Sequence, residues 1–77
     1  MDKYTVNTAD LLDYAIMLVH EYAEAHGLTD AQAFRYMWRY RAIQDILDAY
    51  SAAHTLPTDD VCDTISRICR SRGGLLS

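Results

Sequence analysis

Glycine, proline, lysine and cysteine are all scarce: the 77 residues hold three glycines, one proline, a single lysine (Lys3) and two cysteines. The glycines form no phosphate-cradling loop and no nucleophile elbow. With Pro57 as the one obligatory breaker, helices have room on either side of it. No alternation of apolar and polar residues runs long enough for a strand. No apolar run approaches the roughly 20 residues of a membrane span, and no basic segment followed by a hydrophobic one opens the sequence. Cys62 and Cys69 are seven apart, which fits no standard zinc spacing. On one helix they would lie about 10 Å apart along the axis, beyond the roughly 7 Å between Cα atoms that a disulfide allows. Reduced, buried thiols predict a cytoplasmic protein. No pair of carboxylates stands isolated in an apolar surround. These absences predict a protein that is not an enzyme, holds no cofactor or metal and binds no membrane.

What the chain does have is apolar and ring-bearing surface. Hydrophobic residues make up 51% and charged residues 23%, values of a folding rather than a disordered chain. Its length predicts one small helical domain, residues 1–77, with 1–7 and 74–77 frayed. Such a domain buries only about 60 to 65% of the surface of its unfolded chain and gains a core margin of roughly 3 to 5 kcal/mol. A protein partner or a homo-oligomer is therefore expected. The stretch Phe34 to Thr55 holds the only tryptophan, three of the six tyrosines and three of the six arginines.

Charge is unevenly placed within a net −4. Asp2, Asp10, Asp13, Glu21, Glu24 and Asp30 face Lys3 alone in the first 30 residues, whereas Arg35, Arg39 and Arg41 face only Asp45 in the next segment. That layout suits intramolecular packing or a head-to-tail contact. A dedicated nucleic-acid binder is usually basic overall.

Apolar spacings of three and four, from Leu11 and Leu12 through Ala15, Ile16, Leu18 and Val19 to Tyr22 and Ala23, predict a helix over 9–26. Thr8 is placed to cap it and Gly27 to stop it. Thr29-Asp30-Ala31-Gln32 reads as a capping box opening a second helix, with Ala33, Phe34, Met37 and Trp38 on one face. Tyr36 and Tyr40 form a flank of their own. The apolar period drifts near Arg41, which predicts a break there, with one long bent helix as the alternative. A third helix is expected over 43–53, ended before Pro57. Thr58 is the expected N-cap of a last helix whose stripe is Val61, Cys62, Ile65, Ile68 and Cys69, with Gly73-Gly74 as its stop. The fold class is all-α, a compact three- to four-helix bundle.

His20-Glu21-Tyr22-Ala23, Gly27-Leu28-Thr29, Phe34, Tyr40, Ile46-Leu47, Tyr50 and His54-Thr55 resemble, in order and spacing, an uncharacterised family of small bacterial helical proteins, domain of unknown function 3791. Its members are found encoded beside toxin-like genes, including ones resembling ADP-ribosyltransferases. The resemblance implies an antitoxin-like or accessory partner-binding role, and it carries over no residue roles. Arg41 departs from it by standing where relatives commonly have Gly, and the loop Leu56-Pro57-Thr58 is shorter and stiffer.

Candidate chemistry has a plainer reading at each position. His54 with Cys62 suggests a Cys-His pair, but Cys62 lies in an apolar stripe and His54 is placed to satisfy carbonyls at a helix end. His20 and Glu24, four apart, make half a metal site with no second His or Cys at matching pitch. Tyr36, Trp38, Arg39, Tyr40 and Arg41 suit base stacking and phosphate pairing, a protein hot spot, or a core in which Trp38 and Tyr50 are buried beneath snorkelling arginines. The predicted function is a non-catalytic protein-interaction module with partner-binding residues Tyr36, Arg39, Tyr40 and Arg41. The alternative is a small nucleic-acid-binding regulator using a helix-turn-helix-like pair, 30–40 and 43–53.

Overall fold

A computed structural model describes residues 8–74 and contains five helical segments: α1 Thr8–His26, α2 Asp30–Arg39, α3 Ala42–Asp48, α4 Tyr50–Ala53 and α5 Thr58–Ser71. No strand occurs among the described residues. The fraying expected over 1–7 and 75–77 lies outside them, and Thr8, the expected cap of the first helix, is itself helical.

α1 ends in a left-handed Gly27 at φ 66°. The Leu28 amide donates to the Ala23 carbonyl at 2.9 Å and the Gly27 amide to Glu24 at 3.5 Å, which satisfies two carbonyls of the last turn. The capping box opens α2: the Gln32 amide donates to Thr29 Oγ1 at 3.1 Å and the Thr29 amide to Gln32 Oε1 at 2.9 Å. With so short a link, α1 and α2 pack as antiparallel neighbours.

α2 stops at Arg41, which adopts φ 59°, ψ 22°. Its amide donates back to the Trp38 carbonyl at 3.1 Å, and its own carbonyl accepts from Asp45 at 3.1 Å as the first bond of α3. One residue thus ends a helix and starts the next, and the long bent helix is ruled out.

Three expectations are corrected. The segment 43–53 is two pieces, because at Ala49 (φ −102°, ψ 24°) the ladder opens and Tyr50 packs edge-on against Tyr14 of α1 at 5.2 Å. The bundle therefore has five helical segments in place of three or four. The N-cap of α5 is Pro57, whose carbonyl accepts from Asp60 at 3.1 Å and Val61 at 3.2 Å, while Thr58 is already helical. Gly74 is not frayed: it is buried, and its amide closes α5 on the Cys69 carbonyl at 2.8 Å.

The core joins Leu18, Tyr22 and Ala23 of α1 to Ala33 and Met37 of α2, Ala42, Ile43 and Ile46 of α3, and Val61, Ile65 and Cys69 of α5. Tyr22 is fully buried, and its hydroxyl meets Ser66 Oγ at 2.8 Å.

Candidate interaction surface

The apolar arc of α1 is wider than one core can cover. Leu18, Val19, Tyr22 and Ala23 are buried, while Leu12 stays 58% and Ile16 67% exposed. On α2, Ala33 and Met37 turn inward while Phe34 (44%) and Trp38 (56%) remain in water. The Phe34 and Trp38 rings, four residues apart, stack at 5.6 Å with 29° between their planes. Ile16 and Phe34 border one shallow, largely apolar depression between the two helices, together with Ala15, Val19, Ala31 and Asp30. Leu12 lies one turn back from Ile16 on α1, and Trp38 one turn on from Phe34 along α2. The four side chains are the exposed large apolar residues of α1 and α2.

Of the four residues expected to bind a partner, the two tyrosines are engaged within the fold. Tyr36 is half-buried between the rings of Tyr22 at 6.3 Å and Tyr40 at 5.4 Å, with the Cys69 thiol nearby. Burial pushes its phenol up to about 12. Tyr40 is half-buried, and a Cβ placed on Gly74 would come within 2.8 Å of its ring. Arg39 is exposed, its guanidinium 5.5 Å from the Tyr40 ring centre, and Arg41 occupies the exposed left-handed turn. Trp38, offered as a core residue, is on the surface. Leu12, Ile16 and Phe34 were missed as surface residues. The signal that could have found them is the breadth of the α1 arc from Leu11 to Ala23, which exceeds what a single contact covers.

The chemistry elsewhere is quiet. Cys62 and Cys69 are free and buried. Desolvation raises both thiols, and nearby Asp59 and Glu21 raise Cys62 further, so neither is activated. His54 Nδ1 bonds the Tyr50 carbonyl at 2.7 Å, closing α4. His20 lies 3.2 Å from Asp30 and 3.6 Å from Glu24; its hydrogen bond to Asp30 raises its pKa, and both carboxylates favour the charged ring. No group of three or more His, Cys, Asp or Glu among the described residues is placed to hold a metal. No described helix is long and apolar enough to cross a membrane.

Fold and surface together define a small all-helical domain with an uncovered apolar face on its first hairpin. The model of the DUF3791 family, a protein of unknown function, matches residues 13–72, and the chain belongs to that family. No curated protein and no solved structure matches it.

Proposed function

We propose that this chain is a non-catalytic protein-interaction module that docks through the Leu12, Ile16, Phe34 and Trp38 face, with Arg39 at its edge. The observation that carries this reading is the exposure of those four large side chains on α1 and α2, with Ile16 and Phe34 lining one depression between the helices. A soluble domain rarely leaves so much contiguous apolar surface to water unless something covers it. Trp and Arg are also the residue types that dominate interface energetics. The antitoxin-like or accessory role suggested by the sequence resemblance is one form this module takes. A cytoplasmic setting agrees with two free thiols that share one helix.

The nucleic-acid reading has less support. From Ala42 to Ala53, where a recognition helix would lie, the chain carries Asp45 and Asp48 and no Arg or Lys. Phosphate binding needs cations there.

The test is affinity capture from the native host with the tagged chain and with an Ile16→Glu, Trp38→Glu variant of unchanged helicity. A protein recovered in stoichiometric amount by the first and lost by the second is the expected result. Equal recovery by both, or by neither, would overturn the proposal.

A further inference from the structure

The apolar face carries its own electrostatic complement, and we infer that its occupant is a second copy of this chain, with α1 of one copy over α2 of the other. The inference rests on the interaction reading above and names the partner.

The two helices present the same pattern with opposite charge. On α1 the order is Leu12, Asp13, then Ile16; on α2 it is Phe34, Arg35, then Trp38. In each case the charge follows the first apolar residue by one position and precedes the second by three. Because the helices run antiparallel, a step of one residue moves away from the neighbouring helix on both. The face therefore reads, from edge to edge, Arg35 and Arg39, the Phe34–Trp38 stack, the Leu12–Ile16 pair, then Asp13. All three charged residues are exposed and make no ion pair among the described residues. Arg35 Nε reaches only its own Ala31 carbonyl, at 3.5 Å.

A closed dimer uses one patch twice, so the patch must complement itself under a two-fold rotation. Two orientations keep the helices aligned. With the axis across the hairpin, α1 lies on α1 and Asp13 approaches Asp13, which like-charge repulsion opposes. With the axis along the hairpin, α1 lies on the partner's α2 and levels along the helices are kept. Ile16 and Phe34 line one depression; with those two residues taken as level, each Asp13 falls between Arg35 and Arg39 of the other copy. The rings and aliphatic side chains meet in the middle, and both charged edges are neutralised at once.

Two variants that reverse opposite edges test this arrangement. Asp13→Arg makes both edges basic, and Arg35→Asp with Arg39→Asp makes both edges acidic. Each, checked by circular dichroism to be folded, is expected to have the monomer mass by light scattering at concentrations where the wild type has twice that mass. Mixed one to one, they are expected to recover the dimer mass as a heterodimer. A wild type that stays monomeric at every concentration overturns the inference, as do variants that dimerise alone or stay apart when mixed. A monomeric wild type that still captures a different host protein through Ile16 and Trp38 removes the second copy and leaves the interaction reading standing. Failure of capture as well removes both.

Discussion

Arg72 Nη1 donates to the main-chain oxygen of Tyr40 at 2.8 Å, across 32 residues of sequence. The same guanidinium reaches Asp45 Oδ2 at 2.7 Å. The Tyr40 carbonyl is one of those left without a helical partner where α2 ends, and Asp45 stands in the first turn of α3. One side chain from the end of α5 therefore fastens both sides of the Arg41 turn, while Gly74 lies against the Tyr40 ring. Arg72→Met keeps the aliphatic stem and removes both bonds. A charge-assisted hydrogen bond is worth roughly 1.5 to 3 kcal/mol, and partial exposure of the pair lowers that. The expected loss is about 1 kcal/mol, read as a lower urea midpoint at unchanged slope.

The turn that Arg72 fastens is strained. Arg41 is the one non-glycine residue at positive φ among those described. A left-handed conformation costs an L-residue about 1 to 2 kcal/mol. Glycine removes that penalty and returns roughly 0.5 to 1 kcal/mol as unfolded-chain entropy. Arg41→Gly is therefore expected to stabilise the domain by up to about 1 kcal/mol, and Arg41→Val, branched at Cβ, to destabilise it. Thermal unfolding of the two variants should move the midpoint in opposite directions.

Features of the fold written in neighbouring residues could be read from the sequence. The Thr29–Gln32 box and the Gly27 stop involve partners within a few positions, and the drift in apolar period at Arg41 marked the break between α2 and α3. Ala49 has no such local mark. Tyr50 beside it packs on Tyr14, a contact between residues distant in sequence. The surface was harder still, because periodicity sorts residues into faces without saying how much of a face the neighbours cover. Tyr36 and Tyr40 resembled a free flank until α1 and the end of α5 were set against them. Phe34 and Trp38 resembled core until α1 left their side of α2 open.

The buried Tyr22 hydroxyl and Ser66 Oγ make an asymmetric pair. Tyr22 has no exposed surface, whereas Ser66 is half-buried. Ser66→Ala strands a phenol in the interior, at a cost of about 1 to 3 kcal/mol. Tyr22→Phe removes the buried hydroxyl itself and leaves a serine that can turn towards solvent, at a cost of about 1 kcal/mol or less. Chemical denaturation of both single variants and the double variant should show Ser66→Ala as the worse single change. The double variant should be close to Tyr22→Phe alone, because no phenol is left to satisfy.

Alkali should weaken this fold through several groups at once. Burial raises Tyr14 and Tyr22 above their ordinary 10.0, Tyr36 to about 12, and Cys62 and Cys69 above 9.0. Each raised group holds its proton more tightly folded than unfolded. Above the ordinary value the unfolded chain has released protons that the native state still binds, so stability falls as pH rises. The contribution is fully present below about pH 9. Loss begins with the thiols and continues for Tyr36 between 10.0 and about 12. Tyr36→Phe carries no phenol to ionise. Its stability should decline less steeply between pH 10 and 11 than that of the wild type. Parallel declines of the two proteins in urea titrations across that interval would show that the Tyr36 phenol is not held protonated by the fold.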